Sequence, residues 1–502
     1  MNRIALLFFI GLIFLSNKGF SQNEFEIENI KKTLTEKINK ILKETGIPSI
    51  SISLVKGDTI IWSEAFGFAN VKKQVPATSS TIYCVGSTFK FITATAIMQL
   101  QEKGLLKIDD PVNMYLGKDS INDLSEEGTP VTFRHLLSHH SGLKGSTEIT
   151  LLWSRKLPQS LEEIASEISP VEPPGTKYEY CNHCYALAGL ALEKITGLSF
   201  QEYIVENILK PLQIKTDGPV IPTPMMIEEL ALPYIFVDSQ IVPENQYRVN
   251  TMPGGDIFLT CPDMANFYIA QLNQGIFKGK PILSPNSVAE MQKPQFNSEY
   301  GLGTYITINK KDSLKFISHD GGKPGYTTVF LAETNSKSAV YIAANAYVYD
   351  DTDSGLLGTL KSIAHPAIQL LYDFGNILYE GKYLYIEKEY DKAIIAFYEA
   401  LKKDPENWEG HYYIARCYQE VQQYDKAILH FEQIIENYKK TKEFHWTVAW
   451  SYIKTGVIYN KTGETEKATE FFNKALSVPD NDGSHGQAKD FLNKNSNLKK
   501  NE

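Results

Sequence analysis

The sequence predicts an α+β domain, an antiparallel sheet flanked by helices with a helical insertion, followed by an all-α repeat domain. Three observations predict it. Strand-like alternation stands near both ends of the first 372 residues, helix-patterned sequence fills the middle, and an internal repeat begins after Tyr372. The chain has 502 residues, too many for one ordinary compact core, so two domains are the default expectation.

The elements follow in order. Met1-Asn2-Arg3 is a short positive start, Ile4 to Leu15 an apolar run, and small and polar residues end near Ser21. This is the layout of a secretory signal peptide over residues 1–21, and it predicts an exported protein, periplasmic or secreted. Ile27, Ile30, Leu34, Ile38, Ile41 and Leu42 then fall at helical spacing until Gly46 and Pro48 stop the helix. Ile50, Ile52 and Leu54 alternate with serines as on a half-buried strand, and Lys56-Gly57-Asp58 turns the chain into a second strand, Thr59 to Phe66. Thr327 to Ala332 and Ala339 to Ala344 form another strand pair. Strands this far apart in sequence imply a sheet closed by distant segments of a domain spanning residues 22–372.

After Tyr372, Tyr390-Asp-Lys-Ala-Ile recurs as Tyr424-Asp-Lys-Ala-Ile, thirty-four positions later. Ala393, Ala427 and Ala468 are each followed by a phenylalanine (Phe397, Phe431, Phe472), and Gly381, Ala415 and Gly456 hold the small position of the preceding helix. This pattern resembles the tetratricopeptide repeat, with three units starting near Phe374, Trp408 and Ala449 over residues 374–482. An insertion around Lys442 to Val448 separates the last two. The resemblance implies either a surface that docks a protein partner or a packing appendage. The polar, Asn- and Lys-rich stretch 483–502 is expected to be a disordered tail.

Candidate chemistry starts at Gly86-Ser87-Thr88-Phe89-Lys90, which opens a long uncharged helix. Residues three apart share a helix face, so the Lys90 amine can reach the Ser87 hydroxyl. A serine hydroxyl needs a base before it becomes a nucleophile, and a buried lysine with a lowered pKa can serve. Pro174 to Asn182 is a turn leading to Tyr180 and Asn182, two apart and able to face one cleft. A tyrosine near lysine cations can have its pKa lowered and act as a base, and an asparagine can both donate to and accept from a substrate amide. Ser318 to Tyr326 brings His319-Asp320-Gly321-Gly322 to a strand junction where glycines allow close approach of another backbone.

Ser87-x-x-Lys90, Tyr180-x-Asn182 and His319-x-Gly321, in this order, resemble the motifs of class C β-lactamases, DD-peptidases and β-lactamase-like esterases. Val131 to Leu143 and Pro253 to Thr260 are similar to two further segments of that family, so the likeness covers residues 24–372. The resemblance implies the β-lactamase/transpeptidase fold and a serine hydrolase working through an acyl-enzyme. It assigns catalysis to Ser87, Lys90 and Tyr180, substrate binding to Asn182, His319 and Gly321, and an oxyanion hole to the backbone N–H groups of Ser87 and Gly322. No metal or cofactor is implied. Where the family's β-lactamases carry lysine, this chain has His319, mostly neutral at pH 7, which turns the expectation from a dedicated β-lactamase towards an esterase or peptidase. The competing reading is a catalytically weak penicillin-binding sensor that docks partners through its repeats.

The remaining features exclude rather than add. Net charge is −9 with no basic stripe, which argues against a nucleic-acid partner and leaves a small molecule or peptide as substrate. The five cysteines cannot all pair within the chain, and their pairing is not legible. Cys181-Asn-His-Cys184 overlaps the Tyr180 motif and has no second ligand pair, so it is read as neither a metal nor a redox site. His135, His139 and His140 are read as structural.

Overall fold

The computed structural model describes residues 22–498, apart from 123–127, 146–148, 152–158, 215–228, 239, 310–312, 349–354, 374–376, 443–444 and 482. The leader expected over residues 1–21 lies outside the described residues. Ile27–Tyr372 form one compact unit, the first, and the residues from Asp373 belong to a second.

The first unit is built on a seven-stranded antiparallel sheet. Its strands are β1 (Ser49–Lys56), β2 (Thr59–Asn70), β3 (Val75–Pro76), β4 (Tyr305–Ile308), β5 (Lys315–Lys323), β6 (Tyr326–Glu333) and β7 (Ser338–Ala344), in the spatial order β4-β5-β6-β7-β1-β2-β3. The strands from the two ends of the unit meet at its centre, where Ile52 stands opposite Ile342 on one side and Glu64 on the other. Inside β2 no side chain is tolerated at Gly67, opposite Ser49 of β1: its φ is +83°, and a Cβ there would lie 2.1 Å from the Pro48 carbonyl oxygen.

β1 departs from the expected half-buried strand, being buried on both faces. Ile50, Ile52 and Leu54 are fully buried, each contributing about 1.5–3 kcal/mol relative to exposure. The intervening serines are buried too, because the sheet is covered on that face as well and their hydroxyls find partners. Ser49 Oγ lies 2.7 Å from Asn345 Oδ1, and Ser53 Oγ 2.8 Å from Ser63 Oγ.

Helices flank the sheet: α1 (Gln22–Thr45), which buries Ile30, Leu34 and Ile38, then α2 (Lys90–Glu102), α3 (Phe133–Leu137), α4 (Asn182–Thr196), α5 (Cys261–Leu272) and α6 (Leu356–Asp373). α2 is buried from Lys90 to Leu100, so it runs through the core with no solvent face. This is the α+β architecture with a helical insertion that the sequence predicts.

The second unit is all helical: α7 (Ile377–Ile386), α8 (Tyr390–Lys403), α9 (Trp408–Glu420), α10 (Tyr424–Thr441), α11 (Trp446–Lys461), α12 (Thr465–Leu476) and α13 (Ser484–Leu498). Its repeated small and large residues interlock as the pattern requires. A Cβ at Gly381 would lie 2.5 Å from the Phe397 ring, and one at Gly456 2.6 Å from the Phe472 ring. Ala393, Ala427 and Ala468 have no exposed surface. The expected disordered tail requires correction. Residues 484–498 form α13, which buries Ala488 and packs Phe491 and Leu492 on the last repeat. Phe491 stacks on Phe472 with ring centres 4.9 Å apart, enough apolar contact to order a segment whose surface is polar.

Candidate active site

Ser87 stands in a 3₁₀ turn, Gly86–Phe89, that leads directly into α2. The turn is pinned at Val85, whose carbonyl accepts from Thr88 Oγ1 at 2.7 Å and Thr328 Oγ1 at 2.9 Å. Gly86 (φ +55°) lies against β5, where a Cβ would come within 2.9 Å of the Gly322 nitrogen, so only glycine lets strand and turn close on each other.

Lys90 opens α2 and is completely buried. Its Nζ lies 3.1 Å from Ser87 Oγ, 2.7 Å from Asn182 Oδ1 and 2.6 Å from the Gly254 carbonyl oxygen. No carboxylate is among these partners, and burial holds the amine well below the ordinary lysine pKa. The loop carrying Gly254 is fixed by Thr93 Oγ1, which donates to the Pro253 carbonyl at 2.7 Å.

Tyr180 brings its ring to 4.8 Å from Lys90 Nζ, and its hydroxyl interacts electrostatically with Ser87. The expected lowering of its pKa is overturned. Desolvation at the hydroxyl raises it while 39% of the residue's surface stays exposed, and nearby Tyr305 and Asp320 add to the rise, so the direction is that of a protonated phenol rather than a phenolate base. Asn182 is the first residue of α4 rather than part of an extended segment. Ser87, Lys90, Tyr180 and Asn182 thus converge on one point from two segments.

The third motif is arranged differently from the expectation. β5 alternates, with Ile317, His319, Gly321 and Lys323 buried and Gly322 exposed. His319, expected to meet substrate, is 3% exposed and committed at both nitrogens. Its Nδ1 lies 2.6 Å from the Asp320 carbonyl, which can only accept, so Nδ1 carries the proton and Nε2 accepts from Tyr300 Oη at 2.9 Å. Burial, reinforced by Lys90, brings its pKa down to about 3. Gly321, also expected to bind substrate, instead packs between the Ser87 turn and β6, where a Cβ would lie 2.5 Å from the Val85 carbonyl oxygen and 2.2 Å from Thr328 Oγ1. The strand position open to the cleft is Gly322.

The site holds one pair that the residue-by-residue reading missed. Lys323 and Asp256, both nearly fully buried, form an ion pair. They line a cavity of about 50 Å³ together with Ser87, Asn182 and Gly322. Asp256 Oδ2 also accepts from Val249 N–H at 2.9 Å. The signal was present: an acid and a base, each set among glycine and apolar residues in segments already singled out.

Cys181 and Cys184, read as neither metal nor redox ligands, are joined in a disulfide, which withdraws both sulfurs from metal coordination. Each of the three histidines has an internal partner. His135 Nδ1 meets Thr132, His140 Nδ1 meets the Ser138 carbonyl at 2.7 Å, and His139 Nδ1 accepts from Cys181 N–H at 3.0 Å.

Comparison with known proteins agrees with this geometry. The β-lactamase family model matches residues 34–359 and the tetratricopeptide repeat model residues 409–480. Protein flp of Staphylococcus aureus (strain MW2) is 30% identical over 311 residues, which are 61% of this chain and 61% of flp, so the chain spans about three fifths of that relative. The octameric penicillin-binding protein homologue from Pyrococcus abyssi superposes with a TM-score of 0.54 at 25% identity, covering 72% of this chain and 81% of the other. The D-amino acid amidase from Ochrobactrum anthropi SV3 shares the fold with a TM-score of 0.57 at 21% identity, over 68% of this chain and 99% of the amidase. With the matched model covering most of the first unit and the Ser87, Lys90 and Tyr180 segments within it, the chain belongs to the β-lactamase family, with tetratricopeptide repeats at its C-terminal end.

Proposed function

We propose that the protein is a serine hydrolase that acts through an acyl-enzyme on Ser87 and takes an ester or amide lacking a carboxylate beside the scissile bond. The observation that carries this reading is the set of partners around Lys90. A neutral amine has two N–H donors and one lone pair. The Gly254 carbonyl and Asn182 Oδ1 accept both donors, which leaves the lone pair facing the Ser87 hydroxyl. That is the arrangement of a general base beside its nucleophile.

In the first step the Ser87 proton moves to Lys90 as Oγ bonds the carbonyl carbon and the π pair shifts onto oxygen. The backbone N–H groups of Ser87 and Gly322 receive that oxyanion, a contribution worth about 3–4 kcal/mol per donor. Collapse of the intermediate breaks the C–O or C–N bond. The leaving group takes a proton from the Lys90 ammonium, relayed through the Tyr180 hydroxyl, which the raised pKa keeps protonated. Water then repeats the sequence on the acyl-enzyme and regenerates Ser87. The substrate preference follows from His319, which is neutral and tied at both nitrogens, and so offers no cation to a carboxylate.

The repeats are read as a docking surface for a protein partner, and the leader as a signal for export to the periplasm or beyond. The hydrolase reading is tested with a panel of p-nitrophenyl esters and D-amino-acid amides, with Ser87→Ala alongside. Turnover lost in the variant supports it, and equal turnover in both overturns it. Intact mass after exposure to a penicillin checks the substrate class, a stable adduct in the wild type showing that a carboxylate is accepted after all.

A further inference from the structure

Between Tyr180 and Asn182 stands Cys181, and the structure fixes this residue from several directions. Its backbone N–H donates to His139 Nδ1 at 3.0 Å. Its Sγ is bonded to Cys184 in the first turn of α4, and the Cys184 N–H points to the same sulfur. Two residues earlier, the Glu179 N–H donates to the His139 carbonyl at 2.8 Å. The His139 ring lies 4.3 Å from that of Tyr180, centre to centre.

His139 is itself held in an unusual state. Its φ is +62°, a region that non-glycine residues seldom occupy and that survives where the surroundings demand it. With Nδ1 accepting, the proton sits on Nε2, which is buried and has no hydrogen-bond partner among the described residues. A strained backbone and an unsatisfied N–H are two costs met at one residue, and both serve to put an acceptor under Cys181 and a ring against Tyr180.

We propose that His139 and the Cys181–Cys184 disulfide are positioning groups for the Ser87 reaction: they fix the backbone at Cys181 so that Tyr180 and Asn182 face Lys90 together, and full activity requires the oxidised pair. The inference rests on the Ser87 reading. Oxidation removes two protons and two electrons from the two thiols, which pass by exchange to a second disulfide, such as oxidised glutathione or a protein disulfide, leaving it as a dithiol. Cys181 is 2% exposed and Cys184 has no exposed surface, so the bond is made as the unit folds and is shielded from dithiols afterwards. The other cysteines, Cys84, Cys261 and Cys417, are free and buried. The enzyme is thus committed, when it folds, to an oxidising compartment.

Two measurements on the full chain test this. The first counts thiols alkylated by iodoacetamide in denaturant. Three without reductant and five after reduction are expected, and five without reductant in active protein would overturn the proposal. The second compares ester hydrolysis by wild type, Cys181→Ser/Cys184→Ser, His139→Leu and His139→Asn against the Ser87→Ala background. A misplacement of about 1 Å costs up to ~100-fold, so the disulfide-free variant and His139→Leu are each expected to lose at least ~10-fold in kcat with KM little changed. Asparagine accepts a hydrogen bond and tolerates positive φ, so His139→Asn recovers most of the loss. Wild-type kcat in the disulfide-free variant would sink the proposal. Wild-type turnover no faster than Ser87→Ala would sink the underlying Ser87 reading instead, which keeps the two failures apart.

Discussion

Two buried lysines, Lys90 and Lys323, flank Ser87 in opposite electrostatic settings. Lys323 is paired with the carboxylate of Asp256, which supplies the counter-charge that burial demands. Among the described residues Lys90 hydrogen-bonds two carbonyl oxygens and a hydroxyl and has no carboxylate among these partners, and burial drives it towards its neutral form. The same side chain is a brace in one place and, in the proposed reaction, a base in the other. What decides between them is one carboxylate. A buried lysine beside a serine therefore reads as a base only after the nearest acid has been accounted for.

The comparison is sharpest at Lys90 itself. Lys90→Met should lower kcat/KM by about 10²–10⁴-fold, the range of a lost general base, while Tm holds or rises because methionine fills the site without a desolvated amine. A large fall in Tm would mean that Lys90, too, is structural. In the second test the two lysines should part in the opposite sense. Lys323→Met leaves Asp256 buried without its partner and should cost about 3–5 kcal/mol in denaturant unfolding. Adding Asp256→Asn should return most of that, and failure to do so would mean that the pair does more than neutralise charge.

pH separates them further. Lys90 has its folded pKa below the unfolded value of 10.5. Between the two values the unfolded chain binds more protons, so stability rises with pH through that window and is lost as pH falls through the folded pKa. Acylation of Ser87 should follow the same limb, rising with pH well below 10.5, and Lys90→Met should flatten it. The smallest effect belongs to a third lysine. Lys361 meets Asp320 at 2.9 Å with both side chains about one third exposed, so Lys361→Ala should change stability by about 1 kcal/mol or less. A larger change would blur the line drawn between surface and buried pairs.

Much of the site was legible because its spacings are short. Ser87 and Lys90 are one helical turn apart, and Tyr180 and Asn182 flank a single residue, so local geometry alone brings each pair together. The unread parts depend on burial and on long-range contact. Histidine in the third motif suggests a polar group at a cleft, but whether His319 faces substrate or core depends on a one-residue register that its neighbours do not encode. The sign of the Tyr180 shift required knowing how deep its hydroxyl sits. Lys323 and Asp256 lie 67 positions apart and could be paired only in space. In the repeat unit, Ala488, Phe491 and Leu492 already had helical spacing, but the surrounding asparagines and lysines masked it.

The pairing at the centre of the sheet also sets an order of events. Ser49 and Asn345, 296 positions apart, share a hydrogen bond, and β1 is flanked by β2 and β7. The ribosome makes β1 long before β7, so the middle of the sheet waits for most of the first unit to be synthesised, and distant pairings of this kind form slowly. The turn that carries Ser87 leans on β5 and is hydrogen-bonded through Val85 to Thr328 of β6. No nascent or truncated chain that stops short of β6 can complete the contacts that hold the Ser87 turn, so the site is assembled only once that half of the sheet exists.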